Sequence, residues 1–419
     1  MEFSAISKAL TAQLPKTVKK DNGIYFTPPS CINTNIILLQ PYFTTTTPKI
    51  LEPSCGSGEY ITALTRAFPA AAITGIEYNE TIYDSIRHFA TTNIAIIHAD
   101  YLTYVPTTKY DLIIGNPPFY VMKKDKVAKE YHPYFEGRPN IFVLFVIKSL
   151  RLLADGGILS FVLPKSALNC LYYDHMRKYV AQHFQILHIV DCKDDKYIDT
   201  EQETVILIVR KLPRGDQTLD GSCVMKIKQF TIFGVQSSIA KLTELYHGSH
   251  SLFDMGLKVS VGNVVWNQVK SMLTDDETKT RLIYSSDISD NQLAPKKYKN
   301  ADKKNFIDKK GTRRPMIVIN RGYGVGEYSF SYCLVNSGSG SGSGSSSGSG
   351  SRDDIEYLVE NHLICIECMA ELPRDVMIDK YRQIMASFVD PRTSAFIRHY
   401  FGNSAINTTE MNHILPIYM

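Results

Sequence analysis

Between Pro48 and Gly115, short apolar runs alternate with helix-patterned segments so regularly that few folds remain open to the chain. Lys49–Leu51, Ala72–Glu77, Asn93–His98 and Tyr110–Gly115 predict strands, and Tyr60–Phe68 and Glu80–Ala90 predict helices. Strands joined through helical crossovers run parallel, and their connections are right-handed. The pattern continues with a helix over Asn140–Leu153 and a strand over Gly157–Leu163 closed by Pro164. Two further strands follow at Ile186–Asp191 and Thr204–Arg210, which makes seven. Upstream, Phe3, Ile6, Leu10 and Leu14 fall at helical spacing. A second helix is expected over Cys31–Gln40, with Thr27 or Ser30 as its cap.

The polar residues of this region gather where the predicted strands end. The first strand leads into Glu52-Pro53-Ser54-Cys55-Gly56-Ser57-Gly58, a loop whose glycines let backbone approach a ligand at a helix N-terminus. A dinucleotide loop has a third glycine and takes a pyrophosphate. Here that glycine is missing, and Glu52 would repel phosphate but attract a cation such as an α-amino group or a sulfonium. Glu77 closes the second strand, where a carboxylate accepts hydrogen bonds from ribose hydroxyls. Asp100 follows the third, placed to accept from an adenine amino group. Singly, these residues are consistent with a packing turn, a helix cap and a solvated acid. Together they mark the edge at which such sheets bind ligands.

The fourth strand runs into Asn116-Pro117-Pro118-Phe119-Tyr120. Two prolines end the ladder and stiffen the turn. A fixed amide and carbonyl beside aromatic rings suit a planar substrate carrying an NH2 group, although the same run alone fits a proline-rich loop with a packed phenylalanine.

After Pro213 the pattern becomes irregular, which places a domain boundary near 211–225. Nine Lys or Arg lie within 295–314, against Asp302 and Asp308. The formal charge of the whole chain is only +4, so an anionic partner must be met by such a local patch. Asp353–Leu372 is expected to be helical, with Cys365 and Cys368 as two thiols on a helix face and no metal site. Residues 337–351 are Gly and Ser alone. They are expected to be an engineered linker in place of a loop, a coil spanning roughly 20 Å. The 419 residues, 44% hydrophobic, allow two or three domains. No apolar run is long enough to span a membrane, and the first residues carry no secretory pattern. An intracellular protein with reduced cysteines is therefore expected, in the cytoplasm or at the nucleoid, or in a host cell if viral.

In order, Gly23-Ile-Tyr-Phe-Thr-Pro-Pro29, Leu51-Glu-Pro-Ser-Cys-Gly-Ser-Gly58, Glu77, Asp100 and Asn116-Pro-Pro-Phe119 resemble the motifs of the gamma class of S-adenosylmethionine-dependent adenine-N6 DNA methyltransferases of restriction–modification systems. The resemblance covers residues 1–212 with specificity and 213–419 weakly. It implies a seven-stranded, mostly parallel Rossmann-like sheet with helices on both faces (α/β), followed by a mixed α+β target-recognition domain. It also implies that Tyr25, Thr27, Pro28, Glu52, Pro53 and Gly56 hold the methionine part of the cofactor. Glu77 would take the ribose, and Asp100 with Tyr101 or Leu102 the adenine. Asn116 and the Pro117 carbonyl would accept from the target amino group, with Pro118 stiffening the turn and Phe119 and Tyr120 against the base. Tyr197 is the candidate second aromatic. Lys296, Lys297, Arg313, Arg314 and Arg321 would face DNA.

The expected activity is site-specific methyl transfer to a flipped adenine in double-stranded DNA, by a monomer with no obligate protein partner. The rivals are transfer to an RNA base or a protein glutamine nitrogen, and a non-catalytic DNA-binding subunit. The large basic second half speaks against a glutamine enzyme. The intact glycine loop and Asn116 speak against a subunit that has lost catalysis.

Overall fold

The computed structural model describes residues 2–43, 47–213, 221–296, 298–321, 330–336, 356–401 and 406–419. Lys297, the Gly/Ser run 337–351, residues 322–324 after Arg321 and the stretch 402–404 lie outside the described residues. The chain forms two compact units, 1–240 and 241–419.

In the first unit, helices α1 (Ala5–Gln13), α2 (Lys16–Asn22) and α3 (Pro29–Leu39) precede the alternating region. Neither Thr27 nor Ser30 caps α3. Pro28 holds the N-cap position without a side-chain bond, and Pro29 supplies a first-turn φ that is already helical. The sheet contains β1 (Lys49–Glu52), β2 (Ala72–Glu77), β3 (Ile94–His98), β4 (Tyr110–Gly115), β5 (Leu153–Pro164), β6 (Phe184–Asp191) and β7 (Thr204–Lys211). Its order is β3-β2-β1-β4-β5-β7-β6. β1 to β5 are mutually parallel, and β7 alone is reversed, pairing antiparallel with β5 and β6. Helices α4 (Glu59–Ala67), α5 (Glu80–Ile86), α6 (Ile141–Leu152) and α7 (Asp174–His183) connect the strands.

Strand alternation sorts the apolar residues into two cores. Leu51, Ile113, Leu159, Phe161, Leu207 and Val209 point to the face covered by α6 and α7. Ile50, Leu112, Ile114, Ile158, Val162, Ile206 and Ile208 point to the face covered by α3 and α4. Helices therefore lie on both faces, as expected.

The first unit extends past the change of pattern at Pro213. A hairpin of β8 (Val224–Ile227) and β9 (Phe230–Phe233) packs on α7. Arg177, fully buried, donates to the carbonyls of Thr231 (2.5 Å) and Cys170 (2.8 Å), and Asp174 accepts from the Thr231 N–H (2.7 Å). Cys223 and Phe233 belong to the α6–α7 core, so the sequence boundary at 212/213 falls inside this unit.

The second unit holds an antiparallel sheet of 257–261, 363–368, 316–320 and 332–335, and a smaller one of 273–274, 306–307, 280–283 and 357–359. Helices Arg374–Phe388, Pro391–Tyr400 and Thr408–His413 follow. The helix expected over Asp353–Leu372 is absent from its described part, which is strand at 357–359 and 363–368. Leu363-Ile364-Cys365-Ile366 is apolar throughout because that strand is central and covered on both faces. Its run of apolar residues also fits a helix until its partners are known. Cys365 and Cys368 therefore point to opposite sides of a strand, not along one helix face.

Candidate active site

β1 and β4 are neighbours, whereas the chain builds outward from them in opposite directions, so the sheet has its switch point there. A cleft of about 250 Å³ opens at the carboxyl ends of β1, β2, β3 and β4. Its lining brings together Tyr25, Pro53, Gly56, Glu77, Asp100, Tyr101, Leu102, Asn116, Pro118 and Tyr120, which are far apart in sequence. Ile82, Met122, Ile141 and Phe145 give it an apolar side that sequence alone did not mark.

Asn116 is fixed at the centre of this cleft. Its Nδ2 donates to the Tyr25 carbonyl at 3.2 Å, and its own carbonyl accepts from Ser54 Oγ at 3.1 Å. A carbonyl can only accept, so the tether dictates which end of the carboxamide faces Tyr25. Oδ1 is left buried with no partner in the protein. A buried acceptor without a donor costs about 1–3 kcal/mol, and a ligand N–H would relieve it.

Two carboxylates lie beneath the glycine loop. Glu77 accepts from Gly56 N–H (2.9 Å) and Asn79 N–H (2.8 Å), which orients both oxygens. Burial raises its carboxyl above the usual range, although these N–H groups pull the other way. Glu52 is 2% exposed, and its Oε2 has no partner. Burial, with Glu77 beside it, pushes this carboxyl well above the usual carboxylate range. Asp100 is half-buried, and its Oδ1 accepts from the Leu102 N–H at 2.8 Å.

Other predicted residues stand apart from the cleft lining. Thr27, Pro28, Glu52 and Pro117 are buried behind it. Phe119 is half-buried, its ring edge-on to Phe142 at 6.2 Å. Tyr197 sits in a separate small hollow with Lys19, Tyr25 and Asp199, its hydroxyl 3.4 Å from Thr204 Oγ1.

In the basic run, in the second unit, one lysine meets an acid from outside the stretch, while both of the run's own acids are taken by lysines outside it. Lys304 pairs with Asp275 (2.6 Å), Lys270 with Asp302 (2.8 Å), and Lys279 with Asp308 (2.8 Å). Lys303 lies 4.2 Å and 4.3 Å from the Tyr284 and Tyr298 ring centres. Lys296, Lys299, Lys309, Lys310 and Arg313 are exposed. Arg313 approaches Glu356 at 3.7 Å. Arg314 is half-buried and donates to the Ala370 carbonyl, and Arg321 is half-buried just after the 316–320 strand.

Three residues contribute in ways that the sequence did not indicate. Ser54 was read only as part of the glycine loop, yet its hydroxyl holds the Asn116 carbonyl. Lys148 donates to the carbonyls of Tyr101 (2.6 Å), Leu102 (2.9 Å) and Tyr104 (2.6 Å), tying down the loop that carries Asp100. It is the one charged residue between Ile141 and Leu150, and that was the available signal. Gly23, at φ +64°, packs against the turn. A Cβ there would lie 2.6 Å from the Phe119 nitrogen and 3.1 Å from Pro118 Cβ.

Comparison with known proteins agrees with this arrangement. Residues 61–198 match the model of the Eco57I restriction-modification methylase family, about a third of the chain. Over 416 residues the chain is 26% identical to the type II methyltransferase M.CvrRI of Paramecium bursaria Chlorella virus XZ-6E, covering 97% of this chain and 96% of that one. It is 27% identical over 296 residues to the modification methylase CviBIII of Paramecium bursaria Chlorella virus NC1A, covering 70% and 72%. Among solved structures, the type I restriction-modification methyltransferase subunit of Streptococcus thermophilus superposes with a TM-score of 0.38 at 18% identity, covering 57% of this chain and 56% of that one. A superposition that loose adds nothing to the sheet order itself. The chain is thus similar over a third of its length to a restriction-modification methylase family, and over most or nearly all of it to viral DNA-modification methyltransferases.

Proposed function

We propose that the protein methylates the N6 amino group of adenine at specific sites in double-stranded DNA, after the base has been turned out of the helix. The observation that carries this is Asn116 Oδ1. It is a buried acceptor in the cleft with no protein donor, held in place by Tyr25 and Ser54.

The residues present fit the cofactor. Glu52 has a buried oxygen without a donor, which suits a cationic group. Glu77, already oriented by two N–H groups, retains lone pairs for ribose hydroxyls. Asp100 and the apolar side formed by Ile82, Met122 and Phe145 suit a purine. When bound, S-adenosylmethionine supplies an electrophilic methyl group on a sulfonium sulfur.

The protein must make a poor nucleophile adequate. An adenine amino lone pair is delocalised into the ring. Asn116 Oδ1 and the Pro117 carbonyl, accepting its two hydrogens, favour a pyramidal nitrogen and offset the positive charge that develops on attack. Pro117 and Pro118 keep both acceptors fixed, so alignment is set before reaction. Phe119 and Tyr120 offer aromatic surface for a displaced base, a contact worth about 1–3 kcal/mol. Lys296, Lys297, Arg313, Arg314 and Arg321 would supply phosphate or base contacts, with the exposed Lys309 and Lys310.

The test offers labelled cofactor with duplex DNA, RNA and a glutamine-bearing protein. Label is expected in duplex DNA, on adenine N6. Label confined to RNA or protein would overturn the proposal. Asn116→Ala is expected to abolish transfer while cofactor binding, followed by calorimetry, survives.

A further inference from the structure

The first turn of α3 and the end of β6 bring together two thiols and a carboxylate that methyl transfer does not use. Cys31 is 1% exposed and Cys192 6%, and their sulfurs are 3.6 Å apart. Asp195 completes the group. One ligand atom from each of the three residues lies within 4.8 Å of the others, and it is the only such cluster among the described residues. Cys192 and Asp195 share a tight turn in which the Asp195 N–H donates to the Cys192 carbonyl at 3.0 Å. That turn presents positions one and four toward the same side, as a zinc-binding Cys-x-x-Cys turn does. Ser30, beside Cys31, donates its hydroxyl to Asp195 Oδ1, so the carboxylate is held over the pair.

The sulfur separation excludes a disulfide and admits a shared metal ion as well as a plain thiol contact. A disulfide requires about 2.05 Å. Two thiolates on one tetrahedral zinc, each at about 2.3 Å, are roughly 3.7 Å apart. The observed 3.6 Å matches the second value. The Cys365-x-x-Cys368 pair offers no comparable site, because its side chains leave opposite faces of a strand.

We propose that Cys31, Cys192 and Asp195 bind one thiophilic divalent cation of the zinc class. Binding releases two thiol protons to solvent and forms two metal–sulfur bonds and one metal–carboxylate bond. The exposed Ser30, or a water molecule, would supply the fourth ligand. The ion pins the start of α3, directly after the Tyr25–Pro28 loop, to the turn that leads into Tyr197. Its role is to clamp and not to take part in the chemistry, because no lining residue of the cleft belongs to the cluster.

The full chain, stripped with chelator and titrated with zinc against a chromogenic chelator, is expected to take up one equivalent. Cobalt in its place is expected to give the thiolate charge-transfer band and the intense visible bands of a tetrahedral site. Cys31→Ser and Cys192→Ser should each lose the uptake. Asp195→Asn, a milder change, should keep the charge-transfer band and bind more weakly, and circular dichroism verifies that each variant is folded. Absence of stoichiometric uptake by the unmodified chain, uptake unaltered in both cysteine variants, or a Cys31–Cys192 disulfide as the stable form of the purified protein would overturn the assignment. None of these readouts depends on methyl transfer.

Discussion

Gly23→Ala tests how tightly the Asn116–Phe119 turn is held from behind. Gly23 closes α2 in the left-handed region at φ +64°, which costs an alanine about 1–2 kcal/mol. A Cβ there also stands 2.6 Å from the Phe119 nitrogen and 3.1 Å from Pro118 Cβ. Ordinary contact for these atoms is about 3.5 Å, so either the Gly23 loop or the Pro118–Phe119 segment must retreat by roughly 0.5–1 Å. The opposing atoms are a backbone nitrogen and a proline ring, neither of which can rotate away. Two effects should follow. Stability to urea should fall by about 2–3 kcal/mol. Single-turnover methyl transfer should slow by about 10–100-fold, because a displacement near 1 Å at the reacting groups costs that much. Gly23→Asn separates the causes. Asparagine tolerates the left-handed region but carries the same Cβ, so it should regain part of the stability and little of the rate. An alanine variant that transfers at the unaltered rate would refute the argument that this glycine sets the position of the turn.

Three further outcomes are expected. The native state holds a proton on Glu52 more firmly than the unfolded chain does, so stability of the ligand-free protein should decline as pH rises above about 4.5 toward the raised value. Glu52→Gln should therefore raise the thermal midpoint near pH 8, leave it unchanged near pH 4, and weaken S-adenosylmethionine binding; a lowered midpoint near pH 8 would contradict this. Lys148→Met removes three hydrogen bonds from the loop carrying Asp100, and should raise the KM for cofactor more than it lowers kcat, measured by steady-state kinetics. Ser54→Ala frees the Asn116 carbonyl, and should lower kcat by about tenfold with cofactor affinity, read by calorimetry, little altered.

The order and type of the first unit's strands were legible because each was a distinct apolar run ended by glycine, proline or a polar loop. β2 and β4 match their expected bounds, 72–77 and 110–115. Parallel pairing followed from the crossovers, and the cleft from the rule that ligands lie at the carboxyl ends. Hydrogen bonds made across the fold were not legible. Nothing local shows that Ser54 reaches Asn116, 62 positions away, or that Lys148 reaches back to the Tyr101 carbonyl. In the second unit, strand 363–368 is flanked on both sides by strands distant in sequence. Its periodicity was therefore hidden by burial on both faces, and helix was the wrong inference. The thiol pair escaped because Cys31 and Cys192 are 161 residues apart and meet only in the fold.

The reversed strand β7 constrains how the protein can be made or divided. It is the partner of both β5 and β6, so until residue 211 has been synthesised the apolar run Ile158–Leu163 is an open sheet edge. An edge of that kind templates aggregation. A nascent chain emerging from the ribosome therefore passes through a window in which the cleft residues, all upstream of 146, have been made but the β5 edge of the sheet beneath them is still unpaired. Splitting the enzyme into complementing fragments has the same limit. A break between β5 and β7 exposes that edge. A break beyond β9 keeps the sheet and its α7 hairpin intact, and leaves the cleft on a fragment with closed cores on both faces.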